Sequence, residues 1–129
     1  MKKLKIIAVT LVLAILIAGG GLFLRMKQMA ETISNEYIKV EEADLSKIAD
    51  GVYPGTFGDF LVSVDLEVTV KDHRIAGIII KKQDCGPGYE ALKTVDRIIE
   101  AQNLRVDAVT GATGSSKTIM IAVGRALKK

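Results

Sequence analysis

The chain is poor in the residues that usually build metal and disulfide sites. Its 129 residues include one cysteine, Cys85, and one histidine, His73. A single cysteine excludes an intramolecular disulfide and every redox or metal motif made of paired cysteines. One histidine and one cysteine are also too few for a His/Cys metal cluster. If this protein transfers electrons, the sequence predicts that it does so with an organic cofactor and no metal.

The sequence also lacks net charge beyond its first few residues. It has 18 basic and 15 acidic side chains, and Lys2, Lys3 and Lys5 account for the whole excess. The remainder of the chain is electrically neutral, so no basic surface indicates binding to the phosphates of a nucleic acid. We therefore expect no nucleic-acid partner.

A long uncharged stretch lies near the start of the chain. Residues 6–24 carry no charge, and Thr10 is their only hydroxyl residue. A helix of this length spans ~28 Å at ~1.5 Å per residue, close to the ~30 Å hydrocarbon core of a bilayer. A cleavable signal peptide is one interpretation, with Ala18 and Gly20 as small residues near a cleavage site. The apolar residues resume at 22–24, however, and this favours an uncleaved anchor.

The charges beside this stretch predict its orientation. The lysines before it prefer the cytoplasmic side, so the rest of the chain lies outside the cytoplasm under either interpretation. We therefore predict a single-pass protein of the cell membrane with its N-terminus in the cytoplasm. Residues 1–25 form the anchor or signal peptide, residues 26–43 a stem, and residues 44–129 a globular domain. The apolar spacing lets the membrane helix continue for a few turns, but a solvated spacer is preferred for most of residues 34–46.

The globular part shows strand periodicity first and helical periodicity afterwards. Residues 62–70 alternate between apolar and polar, which predicts a half-buried strand, and a polar turn leads to a second strand at residues 75–80. Helical stripes follow over residues 91–102 and about 115–127, with a short strand or extended segment at 104–109 between them. The pattern predicts an α+β fold, a small antiparallel sheet packed with two or three helices, preceded by one N-terminal transmembrane helix.

The densest run of small and hydroxyl residues lies at the start of the last predicted helix. Residues 107–117 read Asp-Ala-Val-Thr-Gly-Ala-Thr-Gly-Ser-Ser-Lys. Free backbone N–H groups and the positive end of the helix dipole converge at such a turn, and glycines let the backbone approach a ligand closely. The run therefore indicates a site for an anion such as a phosphate.

Two simpler interpretations of this run also need to be weighed. In the first, Ser115 or Ser116 only caps the helix. In the second, residues 111–118 form a P-loop. That motif requires a glycine before the lysine, where this chain has Ser116, and no later strand ends in an aspartate that could hold Mg²⁺. The P-loop interpretation is therefore disfavoured.

The same residues resemble the flavinylation signature of the FMN-binding domain family. The similarity rests on Asp107, on the run from Thr110 to Thr113, and on the following Ser115 and Ser116. The family includes covalent-flavin subunits of bacterial Na⁺-translocating quinone reductases and Rnf-type electron-transport complexes, and small membrane-anchored flavoproteins. In this family a flavin transferase uses FAD to attach FMN through its phosphate to the last Thr or Ser of the motif. The resemblance therefore implies a phosphoester between FMN and Thr113.

The resemblance also implies roles for the neighbouring residues. Asp107 would act in recognition or positioning during flavinylation. The phosphate would be held by the backbone N–H groups of Gly114, Ser115 and Ser116. The turn would be shaped by Thr110, Gly111 and Ala112. A turn cluster at residues 50–56 and a Gly-Pro-Gly loop at residues 86–88 resemble other parts of the family, which adds Tyr53, Pro87 and Gly88 as flavin contacts.

Taken together, the resemblance implies a protein that carries electrons on covalent FMN and is not an enzyme in its own right. Its partners would be the flavin transferase, a membrane electron donor and an extracytoplasmic acceptor, none of which the sequence names. Two alternatives stay open. One is a module that binds FMN or another phosphorylated ligand non-covalently. The other is a structural subunit of a membrane redox complex, in which the motif is only a helix cap.

Overall fold

The computed structural model describes residues 1–128, and it begins with one long helix. This helix, α1, runs over Lys2–Ile38 and contains the whole uncharged stretch. It is long and apolar enough to cross a membrane, and its most apolar window has no buried residue. These properties are consistent with a single-pass membrane anchor.

The second part of α1 belongs to the globular domain. Ile33 is 3% exposed and Val40, just after the helix, is 6% exposed, and both lie in the hydrophobic core. The continuation of the helix for a few turns is thus confirmed. The structure differs from the solvated spacer expected for most of residues 34–46, because Tyr37, Ala43 and Leu45 also pack against the core. The division of the chain at residues 25 and 43 stays a prediction.

Three strands form one antiparallel sheet in the order β1-β2-β3. The strands are β1, Gly51–Asp59; β2, Val62–Lys71; and β3, Arg74–Asp84. In β2 alternate residues from Val64 to Val70 are buried, which confirms the predicted half-buried strand. The two-residue turn between β2 and β3 holds Asp72 and His73 at φ values of 51° and 60°, the left-handed region that tight hairpin turns require.

Strand β1 is the element that sequence periodicity missed. It pairs with β2 from Gly51 opposite Val70 to Asp59 opposite Val62. Its glycines and Pro54 predict a turn, but β1 is an edge strand, where a proline costs no interior ladder bond. The side of β1 that faces away from β2 has no partner strand in the part of the chain that the structure describes.

Two helices complete the domain. Helix α2 covers Lys93–Ala101, and helix α3, Thr113–Leu127, packs across the sheet with most of its residues buried. The fold is therefore α+β, as the sequence predicts. The extended segment before α3 does not pair as a strand, because its backbone bonds elsewhere. The Leu104 and Arg105 N–H groups donate to the Glu42 carboxylate at 3.1 and 3.4 Å.

Polar contacts join the end of α1 to the rest of the domain. The Arg105 guanidinium donates to the Tyr37 and Ile38 carbonyls at 3.2 and 2.6 Å, at the negative end of the α1 dipole. Glu36 accepts from Lys39 at 2.6 Å and from Arg125 of α3 at 2.9 Å. These two hydrogen bonds, in that order of effect, hold the pKa of the Glu36 carboxyl below its ordinary value of 4.5.

Candidate functional site

The loop that carries the motif ends in a tight turn before α3. The Ala112 N–H donates to the Val109 carbonyl at 2.9 Å, which closes a four-residue turn. Gly111, the third residue of this turn, has φ +81°, and a type II turn requires a positive φ at that position. The backbone conformation therefore explains the glycine at this position, since a residue with a side chain would be strained at this φ. A Cβ added at Gly111 would meet no atom within 4 Å, so the turn faces open space.

Ser116 holds this turn against the helix. Its side chain is fully buried, and its hydroxyl accepts the Val109 N–H at 3.0 Å and donates to the Ala112 carbonyl at 2.8 Å. The backbone N–H of Ser116 also donates to the Ala112 carbonyl, at 2.9 Å. Ser116 therefore has no free N–H for a phosphate, and the structure corrects that expected contact.

The backbone N–H groups without an acceptor lie in the first turn of α3, one residue earlier in the chain than expected. The helix starts at Thr113, with Ala112 as a cap residue that provides no side-chain hydrogen bond. Neither Ser115 nor Ser116 caps the helix, so the simple capping interpretation is wrong. Within residues 1–128 the N–H groups of Thr113, Gly114 and Ser115 have no hydrogen-bond acceptor, as expected for the first turn of a helix.

Thr113 is exposed at this helix start. Its hydroxyl makes no hydrogen bond to the part of the chain that the structure describes. A Cβ added to the following residue, Gly114, would meet nothing within 4 Å, so the space beside the hydroxyl is open. An accessible hydroxyl, three free donors and the positive end of a 15-residue helix suit a phosphate group. The residues present thus fit a phosphate-linked cofactor at this position.

The Gly-Pro-Gly loop lies beside the motif. Ser115 is 4% exposed, and its side chain lies close to Cys85, the residue just before this loop. Burial raises the pKa of the Cys85 thiol and the Glu90 and Asp84 carboxylates raise it further, whereas the nearby Ser115 hydroxyl lowers it. These surroundings disfavour the thiolate form of Cys85. Pro87 and Gly88 are exposed, and Gly88 has φ +83°.

Tyr53 is placed differently from the other predicted contacts. It lies in β1, packs against the core, and donates its hydroxyl to the Ala49 carbonyl at 2.7 Å. No hydrogen bond connects its side chain with the motif in residues 1–128. Its contact with the flavin stays a prediction, as do those of Pro87 and Gly88.

Arg97, in α2, is a site residue that the sequence analysis does not single out. Its guanidinium reaches from α2 to the motif and donates to the Asp107 carbonyl at 2.6 Å and to the Ala108 carbonyl at 3.1 Å. The Asp107 side chain is exposed, and no hydrogen bond or ion pair to its carboxylate occurs in the described residues. Nothing in the spacing of residues 93–100 distinguishes Arg97 from the other charged residues in that helix, so the sequence held no signal for this contact.

An open cleft of about 780 Å³ runs along this side of the motif. Its wall combines the end of α1, the last turns of α2 and the segment before the motif, with both signs of charge. The lining residues are Tyr37, Arg97, Glu100, Ala101, Asn103, Arg105, Val106 and Asp107. Asp107, an exposed residue, therefore lies at the edge of a cleft that a second molecule can enter.

Comparison with known protein families gives a match to this chain. A family model described as "FMN-binding domain" matches residues 62–128, which run from the start of β2 to the end of α3 and include the whole motif. No curated protein matches the chain.

Proposed function

The chain belongs to the FMN-binding domain family, and from that premise we propose that it is a membrane-anchored, extracytoplasmic flavoprotein that carries electrons on FMN bound covalently to Thr113. The observation that carries this proposal is the state of Thr113. Its hydroxyl is exposed at the first turn of α3, beside three backbone N–H groups that have no acceptor in residues 1–128.

The attachment is a phosphoryl transfer from FAD. The Thr113 Oγ1 forms a bond to the phosphorus on the flavin side, the pyrophosphate bond of FAD breaks, and AMP leaves. The hydroxyl proton passes to the transferase or to solvent. The N–H groups of Thr113, Gly114 and Ser115 would hold the phosphate group. The open space beside Gly111 and Gly114 admits the transferase to the hydroxyl.

The remaining residues of the site position the motif. Ser116 and Arg97 hold the loop through its backbone, which keeps Thr113 at the surface. Asp107 is exposed and lines the cleft, and its carboxylate would act in recognition by the transferase. FMN supplies the redox chemistry, because its ring accepts and releases electrons, and the protein contributes placement and electrostatics. We expect no substrate turnover by the chain on its own.

The location follows from α1. Lys2, Lys3 and Lys5 precede the apolar stretch and favour the cytoplasmic side, so the domain lies outside the cytoplasm. A covalent link suits that compartment, because a cofactor that dissociates there is lost. The domain would accept electrons from a membrane donor and pass them to an extracytoplasmic acceptor.

The test is the intact mass of the full chain co-expressed with a flavin transferase, together with in-gel flavin fluorescence. Wild type gains the mass of an FMN phosphoester, and Thr113→Val gains none, because the hydroxyl is required. Thr113→Ser keeps the hydroxyl and stays fluorescent. Thr110→Val tests the other exposed hydroxyl of the motif, three residues away, and Ser34→Ala, which removes an exposed hydroxyl outside the motif, is the matched control.

The other outcomes would overturn the proposal in different ways. Unmodified mass with yellow, dialysable flavin would indicate a non-covalent FMN module. Unmodified, colourless protein would indicate that the motif has only a structural role, in a subunit of a membrane complex. Added mass that persists in Thr113→Val and disappears in Thr110→Val would move the attachment site to Thr110.

A further inference from the structure

The turn between β1 and β2 has an unusual composition for a tight turn. It consists of Phe60 and Leu61, which are 45% and 49% exposed. Phe60 has φ +50°, a region that favours glycine and asparagine over bulky residues. The turn at the other end of the sheet, Asp72-His73, also needs positive φ and is polar. An exposed aromatic held in an unfavourable backbone conformation indicates a role other than folding.

Arg25 joins this turn to the membrane-spanning helix. Its guanidinium bonds to the Asp59 carboxylate at 2.8 Å and lies 5.2 Å from the centre of the Phe60 ring. Arg25 directly follows Leu24, the last residue of the uncharged stretch. A basic residue at that point of a membrane helix lies at the level of the lipid headgroups. The Phe60 ring is therefore at the same level.

We infer that Phe60 and Leu61 insert into the interfacial region of the bilayer that α1 spans, so that the domain touches the membrane at two places. The occupant of this apolar turn is lipid, because the turn is continuous with the membrane-spanning helix through Arg25. Aromatic residues are enriched at this depth, where a ring contacts both acyl chains and headgroups. The inference rests on the membrane anchoring proposed above.

The sheet topology connects this contact with the flavin site. Asp84, the last residue of β3, pairs with Ser63 at the same end of the sheet as the Phe60-Leu61 turn. The next residue, Cys85, lies close to Ser115 in the first turn of α3. A second membrane contact at this end of the sheet fixes how the domain tilts, and with it the position of Thr113 relative to a donor in the membrane.

The chain has no tryptophan, so a single introduced tryptophan reports its own position. The full chain would carry Phe60→Trp or Leu61→Trp, each in a separate variant, in vesicles of phosphatidylcholine and phosphatidylglycerol. Bromine on the upper acyl carbons of the phosphatidylcholine quenches tryptophan that reaches the lipid. Val52→Trp is the matched control, because Val52 is an exposed apolar residue, 58% accessible, at the opposite end of β1. Phe23→Trp reports on the anchor itself.

We expect brominated lipid to reduce the Phe60→Trp and Leu61→Trp emission roughly twofold or more, as for a side chain at the interface, and to leave Val52→Trp unchanged. The inference would be overturned if Phe23→Trp is quenched but Phe60→Trp and Leu61→Trp are quenched no more than Val52→Trp. In that case the proposed anchor would still stand. An unquenched Phe23→Trp would instead show that α1 does not enter the bilayer, and both this inference and the proposed membrane anchoring would fall.

Discussion

Thr113 and Ser116 both carry hydroxyls in the first turn of α3, and their surroundings are opposite. The Ser116 hydroxyl is buried and bonds the backbone on both sides of the motif turn, at Val109 and Ala112. The Thr113 hydroxyl is exposed and has no hydrogen-bond partner in residues 1–128. One hydroxyl therefore holds the loop in shape, whereas the other stays available for modification.

Replacement of Ser116 by alanine should destabilise the fold. The part-buried Val109 N–H would lose its acceptor, which costs about 1–3 kcal/mol of unfolding free energy. For a domain of this size each kcal/mol lowers the melting temperature by roughly 4–8 °C. Thermal unfolding followed by circular dichroism measures the change. Thr110→Ala, an exposed hydroxyl without such bonds, should melt like wild type; equal melting of Ser116→Ala would show that the buried bonds contribute nothing.

At the scale of elements, the close packing of α3 against the sheet depends on one glycine of β1. A Cβ added at Gly55 would collide with the Ala122 carbonyl of α3 and lie 2.8 Å from the Ala126 Cβ. Helix and strand can approach this closely only because Gly55 has no side chain and the facing helix residues are alanines. Thr113 is the first residue of the same helix, so the packing of α3 on the sheet also determines the position of the candidate site.

Gly55→Ala should be strongly destabilising for this reason. The clash involves backbone, which cannot rotate away, so we expect a loss of ~1–3 kcal/mol or more. Gly77→Ala in β3 is the control, because its added Cβ would meet nothing within 4 Å. Urea unfolding curves of the two variants measure the difference. A Gly55→Ala variant as stable as Gly77→Ala would mean that α3 does not sit so close to β1.

On the scale of the whole molecule, the membrane helix and the domain share one core. Ile33 and Val40 are buried in it, and Arg105 bonds the carbonyls at the end of α1. The apolar part of α1 is therefore connected to the domain by a packed helix, and the domain has little freedom to rotate about a flexible stem. This connection is what brings the Phe60-Leu61 turn down to the level of Arg25.

Shortening the chain tests this shared core. A chain that starts at Met26 keeps Ile33 and Val40, whereas a chain that starts at Asp44 loses both. Full burial of each side chain contributes about 1.5–3 kcal/mol, and a small domain has roughly 5 kcal/mol of total stability to lose. The shorter chain should therefore melt well below the longer one, or be unfolded at room temperature. Equal melting temperatures would show that residues 26–43 are a stem after all.

Several features were predictable because local patterns in the sequence indicate them. The alternation from Val62 to Val70 predicts β2, the uncharged stretch predicts the membrane-length part of α1, and the motif at residues 107–116 identifies the family. Each depends on neighbouring residues alone. β1 was not predictable in this way, because Gly55 and Pro54 have turn propensities and only the pairing with β2 makes them strand residues.

The sequence by itself determined the class of fold, the membrane-length helix, the family and the candidate residue for attachment. Tertiary structure alone decided that α1 packs into the core, that Arg97 and Ser116 bond the motif loop, and that Phe60 lies beside Arg25. The physical reason is distance along the chain. Periodicity and motifs record interactions between close neighbours, whereas Arg25 and Asp59, separated by 34 positions, meet only when the whole chain has folded.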